Sequence, residues 1–375
     1  YEITPIYNVI PEEERLSLSK LFTHELMGEI ALEWAELMRA FIKENHEIII
    51  FKIHKENKLI GIGILSIIRS LNLSKYLWKP VASFLNLFTK IDVGFLEIPF
   101  SNIPGLLTIE GIDRIERAYI LKALCDYIKK SKYVNTLAVK IDNSVEYTKT
   151  SNLFKGISSL TFYPNTLLKY GYKSFDEFAN TLTRKKWRKC KADQRFLKKY
   201  NGRVEICHDI PSVVPQIYAL YKKTAQAVKK KPHYVEMPVT INQDFFEKLF
   251  LFKRLNASVV LVKVEDAIVA YSLILQSGRT LFFKAVGLDY NLSYKTRAFF
   301  NMFYATLEYA SQQKCDKIDF GVTSYRFKKW IGCELHPAIY LGKASNPFIS
   351  LFENPLALIV ENIIGTAKSQ DPMEL

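Results

Sequence analysis

The sequence lacks most of the features that announce a function outright. Its five cysteines (Cys125, Cys190, Cys207, Cys315, Cys333) are scattered, with no CxxC pair. That excludes a disulfide framework and a cysteine-built zinc site, and it fits a reducing compartment. The six histidines (His24, His46, His54, His208, His233, His336) stand apart from one another, so no metal-ligand spacing is present and no metal is expected. No apolar run reaches the ~20 residues of a membrane span; Leu59–Ile68 comes closest and ends at Arg69. The N-terminus has no charged-then-apolar signal pattern. The expected location is cytoplasmic, with peripheral membrane contact left open. There is no Walker loop, no GxGxxG and no GxSxG elbow. Gly61 and Gly63 sit inside a strand pattern, where close packing accounts for them. Asp319-Phe320-Gly321 matches a kinase triplet, but the glycine-rich loop and HRD segment of a kinase are missing.

What is present is bulk and positive charge. The 375 residues suffice for two domains, and 49% are hydrophobic, including 25 Phe and 21 Tyr. The aromatic excess fits thick sheets, and equally an apolar slot for an acyl chain or lipid. The formal charge of +14 points to an anionic partner: nucleic acid, a phospholipid surface, a carrier protein's phosphopantetheine, or a nucleotide cofactor.

The clearest pattern runs from Ala257 to Pro337. Ser258–Val264 and Ile268–Gln276 read as a hairpin across Glu265-Asp266, and Leu281–Leu288 as a third strand. Thr296–Gln313 carries apolar residues at helical spacing (Phe299, Phe300, Phe303, Tyr304, Leu307, Ala310). Lys317–Phe320 is a short strand, followed by the basic aromatic loop VTSYRFKKWIG. The first half has the same plan. Glu47–His54 and Leu59–Ile68 form a hairpin, Val93–Pro99 a strand, Ile112–Lys130 a helix and Thr136–Ile141 a strand. The same elements in the same order at similar spacing indicate two copies of one unit. The expected fold is α/β (α+β): residues 1–172 and 173–375 as tandem units, each a mostly antiparallel mixed sheet flanked by helices. Leu73–Leu87 is left unassigned, and Pro347–Ala367 reads as an apolar C-terminal helix. Between the units, residues 174–200 read as one basic helix. Ser174 and Glu177 form its capping box, and Arg184, Lys185, Lys186, Arg188, Lys189 and Lys191 make a dense cationic stretch. That stretch suits a solvated face, a phosphate- or carrier-binding surface, or contact with tRNA.

Three stretches carry a resemblance to a known group. They are SFDEFANTLTRKKWRKCKADQRFLKKYNG before a strand, YKKTAQAVKKKPHYVEMPVTINQDFFEKL, and FYATLEYASQQKCDKIDFGVTSYRFKKWIG. From about Glu47 to Pro337 the sequence resembles the GNAT superfamily of N-acyltransferases in its tandem form. Within it, the pattern is similar to the Fem-type peptidoglycan aminoacyltransferases and related bacterial families. The resemblance implies a splayed pair of central strands holding an acyl thioester or ester, attacked directly by an amine without a covalent enzyme intermediate. In tandem members one unit is usually degenerate, and the second unit is expected to be the active one.

By the same resemblance, Lys328 matches the lysine of the Fem-type segment that binds substrate and assists transfer; its other reading is a surface lysine beside Arg326 and Lys329. Tyr325 lies where a general acid is expected, or else packs. Lys284, in an otherwise apolar strand, either snorkels to solvent or contacts substrate. Lys284 and Asp289 flank the strand expected to line the acyl slot. His233 and Glu236 lie on the loop where the acceptor would enter, and either is a candidate base. The place of the glycine-rich pyrophosphate loop reads Asn291–Arg297, without glycine. The helix following it still offers an anion site, aided by Ser293, Lys295, Thr296 and Arg297. The donor expected is acyl-CoA or an acyl carrier protein, with no tightly bound cofactor; the missing glycines count against free CoA and favour an acyl carrier protein, or aminoacyl-tRNA as in Fem-type enzymes.

The function expected is transfer of an acyl group, with a fatty chain favoured by the aromatic strands, from a carrier thioester to an amine of a peptide or small molecule. The runner-up is a Fem-like aminoacyltransferase using aminoacyl-tRNA and a peptidoglycan precursor; no coiled-coil arm for tRNA is visible. A third reading is a non-catalytic binding protein on the same fold. DNA is not among the expected partners.

Overall fold

In a computed structural model, the structure describes residues 1–41, 45–70, 92–101, 103–141, 158–209, 211–229, 241–322 and 324–344. The unassigned segment 73–87, the loop with His233 and Glu236, and the C-terminal helix expected over 347–367 lie outside them.

The first half runs β1 (Glu2–Ile6), α1 (Glu12–Lys20), α2 (Ala31–Phe41), β2 (His46–Lys55), β3 (Lys58–Ile68) and β4 (Val93–Ile98). It continues through β5 (Ile103–Pro104), β6 (Leu106–Thr108), α3 (Arg114–Lys130) and β7 (Thr136–Ile141). Next come β8 (Ser158–Lys169), α4 (Phe175–Thr181), α5 (Arg184–Lys199), β9 (Gly202–Cys207), α6 (Val214–Lys229) and α7 (Gln243–Leu249). The chain closes with β10 (Ser258–Val264), β11 (Ala267–Ser277), β12 (Thr280–Leu288), α8 (Tyr290–Lys295), α9 (Ala298–Gln312), β13 (Lys317–Gly321), α10 (Tyr325–Trp330) and β14 (Glu334–Ala344). The described residues fall into two compact units. The first takes Tyr1–Asn165 and those from His336 onward; the second takes those from Thr166 to Leu335.

Each unit is a mixed sheet with the same order of pairings. In the first, β1 to β4 form an antiparallel meander, β4 pairs β7 in parallel, and β7 pairs β14 antiparallel. In the second, β9 to β12 form the meander, β12 pairs β13 in parallel, and β13 pairs β8 antiparallel. The parallel steps need a crossover, and helices supply it: α3 in the first unit, α8 and α9 in the second. The hairpin turns are tight because Glu56 (φ 50°), Asn57 (φ 63°) and Glu265 (φ 55°) adopt the left-handed conformation that matches strand twist.

The cores follow from the apolar periodicity. In the first unit, α3 lays Ile120, Leu124 and Ile128 on Phe51, Leu65 and Leu137. Asp113 caps this helix by accepting from the Ile115 and Glu116 N–H groups, each at 2.8 Å. In the second unit, α9 is buried nearly all round: Phe299, Phe300, Met302, Phe303, Tyr304 and Leu307 all lie inside. Each such side chain contributes about 1.5–3 kcal/mol of burial.

The structure corrects several local expectations. The basic helix of 174–200 is two helices, because Leu182 is extended (φ −74°, ψ 158°) and Thr183 starts a new cap, accepting from the Lys186 N–H. The helix expected over Thr296–Gln313 begins at Ala298, since Arg297 is left-handed (φ 65°), and the preceding Asn291–Lys295 stretch is itself helical. The loop expected at 322–332 contains α10. Strand β14 was not foreseen, because Pro337 lies inside it and proline ordinarily argues against a paired strand. Among the described residues no helix is long and apolar enough to cross a membrane, and no group of His, Cys, Asp or Glu is placed to hold a metal.

One close contact makes opposite predictions for two neighbours. A Cβ on Gly287 would lie 2.1 Å from Cε1 of Tyr271, so Gly287→Ala should lower stability by about 1–3 kcal/mol. Tyr271 is fully buried and its hydroxyl has no hydrogen-bond partner among the described residues, so Tyr271→Phe should be neutral or raise stability by about 1 kcal/mol. Urea midpoints at constant m-value test both signs.

Candidate functional site

The second unit's sheet opens between β12 and β13. Their parallel ladder spans only Thr280↔Lys317, Leu281↔Ile318 and Phe282↔Asp319. Beyond it, β12 continues to Leu288, held on its other edge by β11, while β13 ends at Gly321. Both strands slip register at this point. On β12, Ala285 pairs Leu273 and Phe283 pairs Ile274, leaving Lys284 as the extra residue of a bulge. On β13, Asp319 pairs Leu167 and Gly321 pairs Thr166, leaving Phe320 extra. Gly321 has φ +65°, a conformation open to glycine at no steric cost.

Lys284 therefore sits where the strands part. It is half-buried, and its ammonium lies 5.2 Å from the centroid of the Phe282 ring. Burial pushes its pKa down to about 8, opposed by the charge of Asp319. Asp319 is 3% exposed, and its Oδ1 accepts the Gly321 N–H at 2.7 Å. A lysine that exchanges its proton close to neutrality, beside a fixed carboxylate, can act as acid or base.

Lys328 is placed differently. It is 2% exposed, and its Nζ donates to three backbone carbonyls: Phe320 at 2.6 Å, Val322 at 2.8 Å and Gly321 at 3.2 Å. An ammonium has three donors, and here each has a carbonyl. Thr166 adds a hydroxyl donating to the Gly321 carbonyl at 2.5 Å. Lys328 thus ties down the end of β13 just past its register slip. Tyr325 starts α10 and is half-buried.

Beneath the opening lies an aromatic cluster. Phe283 stacks on Phe303 with centroids 4.9 Å apart and meets Phe320 edge-on at 5.4 Å. Phe303 contacts Phe299 at 5.2 Å, and Phe299 stacks on Tyr294 of α8 at 5.5 Å. Phe327 joins from α10, 5.0 Å from Phe303. The spacing of apolar residues in the sequence indicated α9, but not that Phe283, Phe320 and Phe327 would converge on it.

The four residues expected to hold a donor's phosphates lie at the α8–α9 junction, with varied roles. Asp289 caps α8 by accepting from Asn291 N–H at 3.1 Å and Leu292 N–H at 3.2 Å, and it pairs with Lys223 at 3.0 Å. The Thr296 hydroxyl is buried and donates to the Leu292 carbonyl at 2.7 Å. Arg297 lies between the Phe196 and Phe300 rings, 5.7 and 5.9 Å away, with its Nε 3.7 Å from Asp193 Oδ1. Lys295 lies 6.0 Å from the Tyr200 ring. Ser293 is fully buried, and its hydroxyl has no hydrogen-bond partner among the described residues. No side chain caps α9, so its first N–H groups remain free of a side-chain acceptor. His233 and Glu236 lie outside the described residues. Asp319 was missed as a site residue; the sequence signal was a lone acid in the apolar strand Lys317–Phe320.

Two meanders, each joined through a helix crossover to a parallel strand, define a mixed α/β fold. Residues 95–329 match the model of the FemAB_like family, described as peptidoglycan biosynthesis/recognition, and the chain belongs to that family. No curated protein matches in sequence. Among solved structures, FemX is 12% identical, with 94% of this chain and 100% of that chain covered and a TM-score of 0.59. The C-terminal domain of a putative lysylphosphatidylglycerol synthetase from Agrobacterium fabrum is 8% identical, covering 92% and 95%, with a TM-score of 0.54. A conserved protein of unknown function from Bacteroides thetaiotaomicron is 11% identical, covering 91% and 100%, with a TM-score of 0.53. At such identities these likenesses establish the fold alone, one shared with FemX.

The three carbonyls around Lys328 generate a stability prediction. Lys328→Met keeps most of the volume but leaves them without their donor, and should cost about 3 kcal/mol or more. Thermal denaturation against wild type measures it; an unchanged midpoint would show that the clamp contributes nothing.

Proposed function

We propose that the second unit transfers an acyl group from a carrier-bound thioester to a primary amine, with Lys284 exchanging the proton. The observation that carries this reading is Lys284 on its bulge, at the parting of β12 and β13, with Asp319 beside it. The acyl carbonyl lies in the opening, its oxygen turned toward β12 backbone N–H groups that have no ladder partner on that side. The amine nitrogen attacks the carbonyl carbon, so a C–N bond forms and the C–S bond breaks. Neutral Lys284 takes the proton that the amine sheds and returns it to the departing thiolate, leaving amide and free thiol. Asp319 keeps the resulting ammonium from being an isolated buried charge. The aromatic cluster around Phe303 favours an apolar acyl chain, and the uncapped α9 N-terminus with Arg297 favours an anionic donor group. Lys328 and Tyr325 hold the β13 end and the start of α10; their contribution to transfer is through position.

The second reading is aminoacyl transfer from aminoacyl-tRNA, where the bond broken is an ester C–O bond. The family match favours it, and so do the exposed cations of α5. Lys186, Lys189 and Lys191 are tied to Trp330, Asp193 and Asp176, whereas Arg184, Lys185 and Arg188 face solvent.

Thiol release from acyl-CoA and acyl carrier protein, with a panel of primary amines, tests the first reading. Lys284→Met should lower turnover about 10²–10⁴-fold. In wild type the rate should rise with pH through about 8, as Lys284 loses its proton, and this rise should vanish in the variant. Amine-dependent deacylation of aminoacyl-tRNA without thiol release would establish the second reading. Undiminished transfer by Lys284→Met would remove Lys284 from the chemistry.

A further inference from the structure

Past its ladder with β13, β12 runs on to Leu288 with one edge on β11 and the other facing the opening. The Asp289 N–H donates to the Val269 carbonyl, on the β11 side, at 2.9 Å. In an antiparallel pair, successive residues turn their backbone groups to opposite edges. The N–H groups of Leu288 and Val286 therefore face the opening, while that of Gly287 faces β11. A carbonyl oxygen entering the opening meets two backbone donors, roughly 6.6 Å apart along the strand. Val286 is two residues from Lys284 on its bulge, and Leu288 is four.

The outer of these donors is already taken. Thr224, half-buried on α6, accepts the Leu288 N–H on its hydroxyl oxygen at 2.7 Å. A helical hydroxyl commonly turns back to the carbonyl four residues earlier, as Thr296 does to Leu292 at 2.7 Å and Thr306 to Met302 at 2.9 Å. Among the described residues Thr224 makes no such bond and reaches β12 instead. Its neighbour Lys223 pairs with Asp289 at 3.0 Å, so two successive residues of α6 grip the end of β12.

We propose that Thr224 sets the register of the acyl donor along β12. By occupying the Leu288 N–H it leaves the Val286 N–H to receive the carbonyl oxygen, and the reacting carbon then lies beside Lys284. A donor seated one strand period further out, at Leu288, would hold its carbonyl away from the lysine. Thr224 is a positioning residue: it touches neither the reacting carbon nor the proton, and acts through which N–H stays open. The proposal rests on the transfer reading above and adds the residue that decides where the donor sits.

Thr224→Ala exposes the Leu288 N–H and keeps a helix-favouring residue, whereas Thr224→Ser keeps the hydroxyl. Amide hydrogen exchange of the full-length protein, read at single residues by mass spectrometry with electron-transfer fragmentation, reports the bond itself. Leu288 should exchange at least about tenfold faster in Thr224→Ala and at the wild-type rate in Thr224→Ser, with Gly287 unchanged. Thiol release from acyl-CoA and acyl carrier protein with a primary amine reports the register. A donor shared between productive and unproductive seats lowers kcat and KM by the same factor and leaves kcat/KM unchanged. Thr224→Ala should show that joint fall, by about two- to fivefold, and Thr224→Ser should not. A loosened site would instead lower kcat/KM. Unchanged exchange at Leu288, wild-type kcat and KM in Thr224→Ala, or a loss of its kcat/KM would each overturn the proposal while leaving the transfer reading in place. No thiol release by the wild type from either thioester would end the transfer reading, and the register role with it.

Discussion

The site depends on how the end of β13 is held away from β12. Two parallel strands that merely fray would close up or become disordered, because unpaired backbone groups in an apolar setting are costly. Here the departing carbonyls of Phe320, Gly321 and Val322 are satisfied by the Lys328 ammonium, and Gly321 also receives the Thr166 hydroxyl. The gap is therefore a stable feature of the fold. The register slips around Lys284 and Phe320 then fix which side chains border it.

Charge and apolar surface are divided on this frame. The Phe283–Phe303–Phe320–Phe327 cluster gives the opening an apolar floor, which lowers the local dielectric. In that setting a lysine is hard to keep charged, so Lys284 titrates near neutrality while buried Asp319 opposes the shift. In the first unit Glu97, Lys140 and Tyr340 stand in one row where the β4–β7 ladder stops, and there a carboxyl is raised toward neutrality by the same desolvation. The two units thus share a pairing order and differ in the sign of the group whose pKa burial moves.

Much of the architecture was legible in the sequence. The hairpins of both halves appeared as β-branched runs around polar turns, and α3 and α9 as apolar periodicity, because these are local properties of spacing and propensity. The repeated order of elements suggested two contiguous halves, whereas among the described residues the first unit also takes those from His336 onward. Less was legible at the site. Lys284 stood out as a lone charge in an apolar strand, and the structure places it at the bulge. Lys328 was read from a resemblance as a group for substrate; its three carbonyl partners belong to backbone six to eight residues away, and no sequence pattern shows whether a lysine faces solvent or its own chain. Asp319 and Glu97 were passed over because a single acid in a strand gains meaning only from its cross-strand neighbours.

What the sequence by itself determined was the identity and order of the elements, since helix and strand periods and turn residues are written in adjacent positions. What only the tertiary structure decided was which strands close each unit and what borders the end of each parallel ladder. β14, at the end of the described chain, completes the first unit's sheet by pairing with β7, and β8 completes the second by pairing with β13. Such partnerships join residues up to about two hundred positions apart, through backbone hydrogen bonds that any sequence can make, so side-chain pattern does not specify them. The same long-range pairing brings Tyr340 to Glu97 and Thr166 to Gly321, and with them the polar contacts at the ends of β4 and β13.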